Sequence, residues 1–279
     1  MTAARVSAAV AVVSDGSALS TGHDRLPLLP ALGGCAALLR ELAGLDAIAL
    51  PVAAADARQL AASLRSLPVD IGAIALLRTD PARARAAQQA LRAAGCVPVV
   101  TEQDTTTVAL TAALLTALRR TDTPPRASRV VVAGAARVPG LTRLLMAAGV
   151  GDIVSWDTTD AVAFPLSRIA RGATAVIDLV DRAAALAHSA SWHDPVTVIA
   201  PDGESPLLAL PGLLTAAVSA PAPLRDGGED VEVELAMACV RVLMEATPPD
   251  RLLPELSTPG LSAAVARAAL ATVENRQRQ

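Results

Sequence analysis

Short apolar runs alternate with Ala- and Leu-rich stretches of helical length, and this rhythm constrains the fold more than any single residue. RVSAAVAVV (5–13), DAIALPV (46–52), IGAIALL (71–77) and VPVV (97–100) read as strands. Residues 34–43, 56–67 and 81–94 read as the helices around them, and 104–120 as a longer apolar helix. Near-continuous apolar strands joined by helices imply a parallel sheet with both faces covered. TDTPPRAS (121–128) is the linker candidate, because Pro124-Pro125 stops the preceding helix. A second block follows, with strands at 129–135, 152–157, 173–180 and 195–200 and helices at 141–149, 230–246 and 260–274. The expected fold class is α/β, with an N-terminal parallel-sheet α/β domain over 1–120 and a second domain over 121–279. The acidic DGGED (226–230) reads as a loop.

What the chain lacks limits its chemistry. It has neither lysine nor tyrosine among 279 residues, so all 24 basic residues are Arg. Schiff-base chemistry, a Walker-type phosphate loop and any Lys–Tyr acid–base pair are therefore excluded. Arg stays protonated and does not serve as an ordinary general base. Trp156, Trp192 and Phe164 are the only aromatics, so a core must be filled by small aliphatic side chains. A net charge of −3, without a basic block or rings for stacking bases, argues against a nucleic-acid partner. Cys35, Cys96 and Cys239 form no CxxC and read as reduced thiols. The N-terminal apolar stretch runs straight into Ser14-Asp15-Gly16 rather than a cleavage site, and no run reaches the roughly 18 apolar residues of a membrane span. A soluble, cytoplasmic protein with no membrane partner is expected. His23-Asp24 and His193-Asp194 pair His with an acid, but adjacent side chains do not normally face one another, so surface loops are the simpler account. Ser14-Asp15 lacks a nucleophile-elbow context.

One segment has the outline of a dinucleotide turn. Strand 129–135 runs into Gly134-Ala135-Ala136-Arg137-Val138-Pro139-Gly140, where the fingerprint asks for GxGxxG. Gly134 can make the tight turn. Ala136 stands where a glycine would let backbone approach a pyrophosphate, and Pro139 where one would allow close helix packing. Asp157 ends the next strand at about the distance expected of a ribose-binding acid. Arg137 could touch a phosphate or simply be solvated. The second domain thus reads as a reduced Rossmann-like, NAD(P)-binding type, with NAD or NADP as the possible cofactor.

The order of segments resembles the malic enzymes, the NAD(P)-dependent, oxaloacetate-decarboxylating malate dehydrogenases. The resemblance is carried by VAVVSDGSAL (10–19), LPALGGCAALLRELAGLDAI (29–48), VDIGAIALLRTDPA (69–82), VPVVTEQDTT (97–106), VVVAGAARVPGLTRLLMAAGVGDIVSWD (130–157) and PDGESPLLALPGLLTAAVSA (201–220). It covers most of the chain in the family's order, with the stretch between 157 and 200 shortened. It implies two α/β domains, oxidation of malate by NAD(P), and decarboxylation assisted by a divalent cation.

The residues this resemblance assigns to chemistry are mostly replaced. The family's catalytic lysine falls on Cys35, which would serve as a base only if a helix N-terminus lowered its pKa, and otherwise is a small buried hydrophobe. The family's tyrosine segment would lie before residue 1. Two of the acidic metal ligands fall on Leu76 and Leu77. The third falls on Glu102, which with Asp104 could form a weak site or could equally be favourable charge at a helix start. A bound divalent metal is therefore not expected. The substrate-contacting asparagines fall on Ser205 and Pro206. The expectation is a degenerate, N-terminally shortened malic-enzyme-like protein that has lost catalysis and serves as a binding or partner subunit. The alternative is an NAD(P)-dependent oxidoreductase of malate or a related 2-hydroxy acid with a rebuilt acid–base set. An apolar first strand with an uncovered edge invites pairing, so a homodimer, or a heterodimer with a fuller malic-enzyme relative, is expected.

Overall fold

The computed structural model describes residues 8–19, 27–182, 196–220 and 229–278. Its contacts divide the chain into two compact units. One comprises Met1–Glu102, Ala209–Leu235 and Pro259–Gln279, and the other Gln103–Leu208 and Ala236–Thr258. This division does not follow a single cut at residue 120. The sequence pattern shows where helices lie but not which sheet they cover, and C-terminal helices return to the first unit.

In the first unit β1 (Ala9–Ser14), β2 (Ala47–Pro51), β3 (Ile71–Leu76) and β4 (Val99–Thr101) form one parallel sheet in the order β2-β1-β3-β4. All six residues of β1 are buried, as a central parallel strand requires, and with β2 and β3 paired on either side it has no uncovered edge, contrary to the sequence expectation. Alternation then sorts its side chains. Ala9, Ala11 and Val13 join Leu60 and Leu64 of α2 (Ala57–Arg65) and Ala87 and Leu91 of α3 (Pro81–Ala93) in one core. Asp56 caps α2 by accepting the Gln59 N–H at 2.8 Å, and Asp80 caps α3 by accepting the Arg83 N–H at 3.0 Å. Pro81 takes the first turn of α3, where its missing N–H costs nothing. Helix α1 (Leu28–Ala43) packs against β1 and β2 and ends at Gly44, whose left-handed backbone lets its N–H reach the Arg40 carbonyl.

The second unit repeats the theme. After α4 (Glu102–Arg120), strands β5 (Arg129–Ala133), β6 (Asp152–Trp156), β7 (Ala175–Asp178) and β8 (Thr197–Ile199) form a parallel sheet in the order β6-β5-β7-β8. Leu110, Leu114 and Leu118 of α4 and Leu141 and Leu145 of α5 (Leu141–Ala147) pack with Val130, Val132 and Ile177. Val131, Ala133 and Val176 point the other way, into a cluster with Trp156, Leu166 of the short α6 (Leu166–Ile169) and Ala170. Trp156 is buried, and its indole N–H donates to the Phe164 carbonyl at 2.7 Å. That bond satisfies the ring's one polar atom.

Helix α7 (Leu210–Ser219), absent from the sequence reading, packs within the first unit against β1, β3 and β4. Helix α8 spans Glu229–Ala246, and α9 (Leu261–Gln277) packs on α7. The α7–α9 approach is closest at Gly212. A Cβ there would stand 2.5 Å from the Val265 Cβ and 2.6 Å from the Ser262 carbonyl oxygen. Backbone cannot yield as a flexible side chain does, so Gly212→Val forces the helices apart. We expect a loss of about 1–3 kcal/mol or more in urea unfolding, whereas Gly203→Ala, with nothing within 4 Å, stays within about 0.5 kcal/mol of the parent.

Candidate functional site

In an open parallel sheet, ligands bind beyond the C-terminal strand ends where the strand order reverses. That point lies between β1 and β3 in the first unit and between β5 and β7 in the second.

At the first, three loops are tied together by polar groups. The buried Ser14 hydroxyl donates to the Arg78 carbonyl at 3.2 Å and accepts the Gly16 N–H at 3.0 Å. Asp15 has a fully buried carboxylate that accepts from the Ser17 amide at 3.0 Å and hydroxyl at 2.6 Å, and from Arg83 Nη1 at 2.7 Å. Arg83 Nη1 also donates to the Ala54 carbonyl at 3.0 Å. Burial alone would raise the Asp15 carboxyl, but the Ser17 and Arg83 hydrogen bonds outweigh it and hold it below its ordinary value. With its partners supplied by the protein, this pair acts as a staple rather than a proton carrier. Neither Asp15–Arg83 nor Arg78 figured as functional in the sequence reading. The signal was there in Ser-Asp-Gly-Ser after β1 and Arg-Thr-Asp-Pro after β3, polar residues where strands run out.

Cys35 and Glu102 do come together here. The Cys35 thiol is pushed up to about 11 by burial first and by the Glu102 carboxylate second, with Arg78 pulling the other way. Helix α1 begins at Leu28, not Gly34, so Cys35 lies two turns inside it and gains no N-terminal lowering. Pro30 explains the longer helix, since proline is tolerated in a first turn. Cys35 is thus a buried, protonated thiol at neutral pH. Glu102 opens α4, and its Oε2 accepts the Arg78 N–H at 2.6 Å. Asp104 lies two residues later on the same helix, partly buried.

Leu76 and Leu77 are 1% and 7% exposed, and Leu76 belongs to the core beneath α2 and α3. Among the described residues no three His, Cys, Asp or Glu side chains gather where they could hold a metal ion. The donor set does not fit a divalent cation. Two of its three expected oxygen ligands are leucines, and the third has an oxygen engaged with backbone.

At the second unit's switch point, Gly134 takes φ +83° and opens a short 3-10 turn, Ala135–Arg137. A Cβ at Gly134 would meet Val180 Cγ1 at 2.5 Å, so the close approach it allows is to the chain leaving β7. Its N–H donates to the Trp156 carbonyl at 2.8 Å, which brings the turn beside Asp157 at the end of β6. Ala136 and Arg137 are exposed. Asp157 caps a 3-10 turn: one oxygen accepts the Thr159 N–H at 3.1 Å, and this bond leads those holding its carboxyl below the ordinary value. Gly134 is thus bonded to the strand that Asp157 follows, and Ala136 and Arg137 come next in the turn that Gly134 opens.

The sequence reading missed Asp178, a buried carboxylate that accepts the Val180 and Arg182 N–H groups at 3.1 and 2.8 Å and shapes the β7 exit. Ser205 is buried and locked to Asp202, whose Oδ1 accepts its hydroxyl and amide at 2.7 Å each. Pro206 follows in the same short turn. His23-Asp24, His193-Asp194 and most of DGGED lie outside the described residues.

Two parallel sheets in tandem, the second with its turn glycine and strand-end acid, define a doubly wound α/β protein with a Rossmann-like half. Over 157 residues, 55% of its length, the chain is 32% identical to the NAD-dependent malic enzyme of Geobacillus stearothermophilus, and the match spans 33% of that enzyme. The malic enzyme of Entamoeba histolytica superposes with a TM-score of 0.79 at 20% identity, over 97% of this chain and 70% of that one. The NAD-dependent malic enzyme of Thermotoga maritima gives 0.75 at 20% identity, over 94% and 84%. At that identity the structures establish the fold. No protein-family model matches the chain. The chain thus shares the fold of the malic enzymes and is similar in sequence to one of them over about half of its own length and a third of that enzyme's.

Two outcomes follow. Leu76→Glu with Leu77→Asp puts carboxylates into buried positions, so the double variant should lose roughly 2–5 kcal/mol in chemical unfolding; melting like the parent would mean these sites are open to solvent. Buried thiols set the alkaline limit. Cys35 rises from 9.0 to about 11 and the fully buried Cys239 to about 12. Each contributes stability that is complete below pH 9, where the unfolded thiol is protonated, and is lost as pH rises through the folded value. Stability should fall between pH 9 and 12, and Cys35→Ala with Cys239→Ala should flatten that fall.

Proposed function

We propose that this chain has lost malate oxidative decarboxylation and serves as a binding or partner subunit built on the malic enzyme fold. The observation that carries the reading is the first switch point. A base, an acid and metal ligands act as a unit, and here the base position and two of the cation positions are closed. The thiol in the lysine position stays protonated until about pH 11. The ligand positions at 76 and 77 are core leucines. The 279 residues contain no tyrosine. What remains is a pair of well-packed sheets with ligand-facing edges. The partner this reading calls for is a second copy, or a fuller malic-enzyme relative that supplies the missing groups.

One observation favours a second reading, an NAD(P)-dependent oxidoreductase of malate or a related 2-hydroxy acid. Gly134, Arg137 and Asp157 stand together at the Rossmann-like turn, and the Geobacillus stearothermophilus relative is named as NAD-dependent. Bound NAD(P) would supply the hydride acceptor, while this chain would orient it through those residues. A proton acceptor at neutral pH is the part this reading lacks.

A malate assay with NAD⁺ or NADP⁺ and Mg²⁺ or Mn²⁺ separates the two. The purified chain alone should give no turnover, and mixed with an intact malic enzyme it should co-elute in light scattering. Metal-dependent turnover abolished by Glu102→Ala would overturn the proposal, as would a 28 kDa species that captures neither itself nor the relative.

A further inference from the structure

Helix α1 is apolar all round from Leu28 to Leu38, a stretch without a charged side chain, amide or hydroxyl. A helix of that composition belongs in a core. Its inner face obeys, with Leu32, Cys35, Ala36 and Leu39 buried. Its outer face does not: Leu29 is 56% exposed, and Pro30, Gly34 and Ala37 are exposed on the same side at helical spacing. A Cβ placed on Gly33 or Gly34 would meet nothing within 4 Å beyond the helix itself, so this face is open as well as apolar. Two adjacent glycines weaken a helix, and here they fill no tight contact within the chain. The last turn on this side carries the exposed Arg40 and Glu41. At the opposite end Pro27 offers no side-chain cap and the first turn has no acidic residue. The positive end of the helix dipole is therefore left without a carboxylate of its own helix.

We propose that this face of α1 docks a second copy of the chain, the two α1 helices lying antiparallel across a two-fold axis near Gly34. This rests on the reading above that the chain serves as a partner subunit, and adds the surface and its occupant. Charge selects a second copy. The centre of the face is uncharged, so it does not repel its own image across the axis. Reversing one helix on the other then sets Glu41 of each copy beside the other's acid-free helix start, where a carboxylate is favourable. The spacing agrees, since Gly34 stands six residues from Leu28 and seven from Glu41, nearly equal rises along the axis. Glycines at the crossing let the axes approach, because interaxial distance follows the side chains at the contact. Pairing through the edge strand β2 does not compete. Its Ala47 carbonyl already accepts from Arg40 Nη2, and Pro51 has no N–H to give.

The test is light scattering of the full chain over a dilution series, which yields a dimer Kd. The parent should run at twice the 28.3 kDa chain mass and dissociate on dilution. Gly34→Glu sets two carboxylates face to face at the axis, and Ala37→Arg sets a cation in the apolar centre. Each should weaken the Kd by about tenfold or more. Far-ultraviolet dichroism and thermal melting should stay as in the parent, because both positions face solvent in the single chain. Glu41→Arg, which brings a cation to the other copy's helix start, should weaken it about two- to fivefold. Arg58→Ala, exposed on α2, should leave it unchanged. A parent that is monomeric at every concentration sinks the proposal, as does a dimer whose Kd neither Gly34→Glu nor Ala37→Arg moves, or one that Arg58→Ala weakens as much. If one of the two face variants does not fold, the other decides alone. A dimer unmoved by these variants leaves the partner-subunit reading standing, whereas the failure of that reading shows as turnover in the malate assay.

Discussion

Burial of parallel strands on both faces is the constraint from which the rest follows. A strand such as β1, with all six residues buried, has no solvent face on which polar side chains can gather. Polar chemistry is therefore driven to the strand ends, where the chain leaves the sheet and loops converge. The two ends described here differ in what they have kept. At the first, Arg83 binds Asp15 and the Ser14 hydroxyl binds the Arg78 carbonyl, and these contacts hold the loops in place. At the second, Asp157 and Asp178 shape turns around Gly134. In both places carboxylates that could serve a ligand spend hydrogen bonds on backbone.

Leucine at positions 76 and 77 is physically self-consistent. A carboxylate at the end of a buried strand is tolerable while a cation neutralises it and costly once none does. Leu76 restores an apolar side chain to a core formed by Leu60, Leu64 and Leu91. Glu102 has a partner within the protein, accepting an amide at the mouth of β3.

Most strands were legible from their apolar runs, since a parallel strand buried on both faces leaves an unbroken signature: Val10–Val13, Ile74–Leu76 and Val130–Val132 are 0–1% exposed. Helix α7 was not legible, because LPGLLTAAVS is apolar on all sides and carries no helical period, being buried by β3 and α9. Helix α1 starts six residues before Gly34, because Pro27 stands just outside it and Pro30 in its first turn, both places that tolerate proline. Of the site, Gly134 and Asp157 were readable from spacing. Arg78 was not: its positive φ and its amide bond to Glu102 are not written in residue order.

The uneven placement of aromatic rings gives the molecule an optical asymmetry. The segments of the first unit contain no Trp, Tyr or Phe, whereas Trp156 and Phe164 belong to the second, as does the position of Trp192. Ultraviolet absorption, intrinsic emission and near-ultraviolet dichroism therefore originate wholly in one half. A conformational event confined to β1–β4 is dark to all three, and only backbone signals register it. Trp156, hydrogen-bonded beside the Gly134 turn, makes the Rossmann-like half self-reporting, while its neighbour is a blank onto which a single introduced Trp would be read without background.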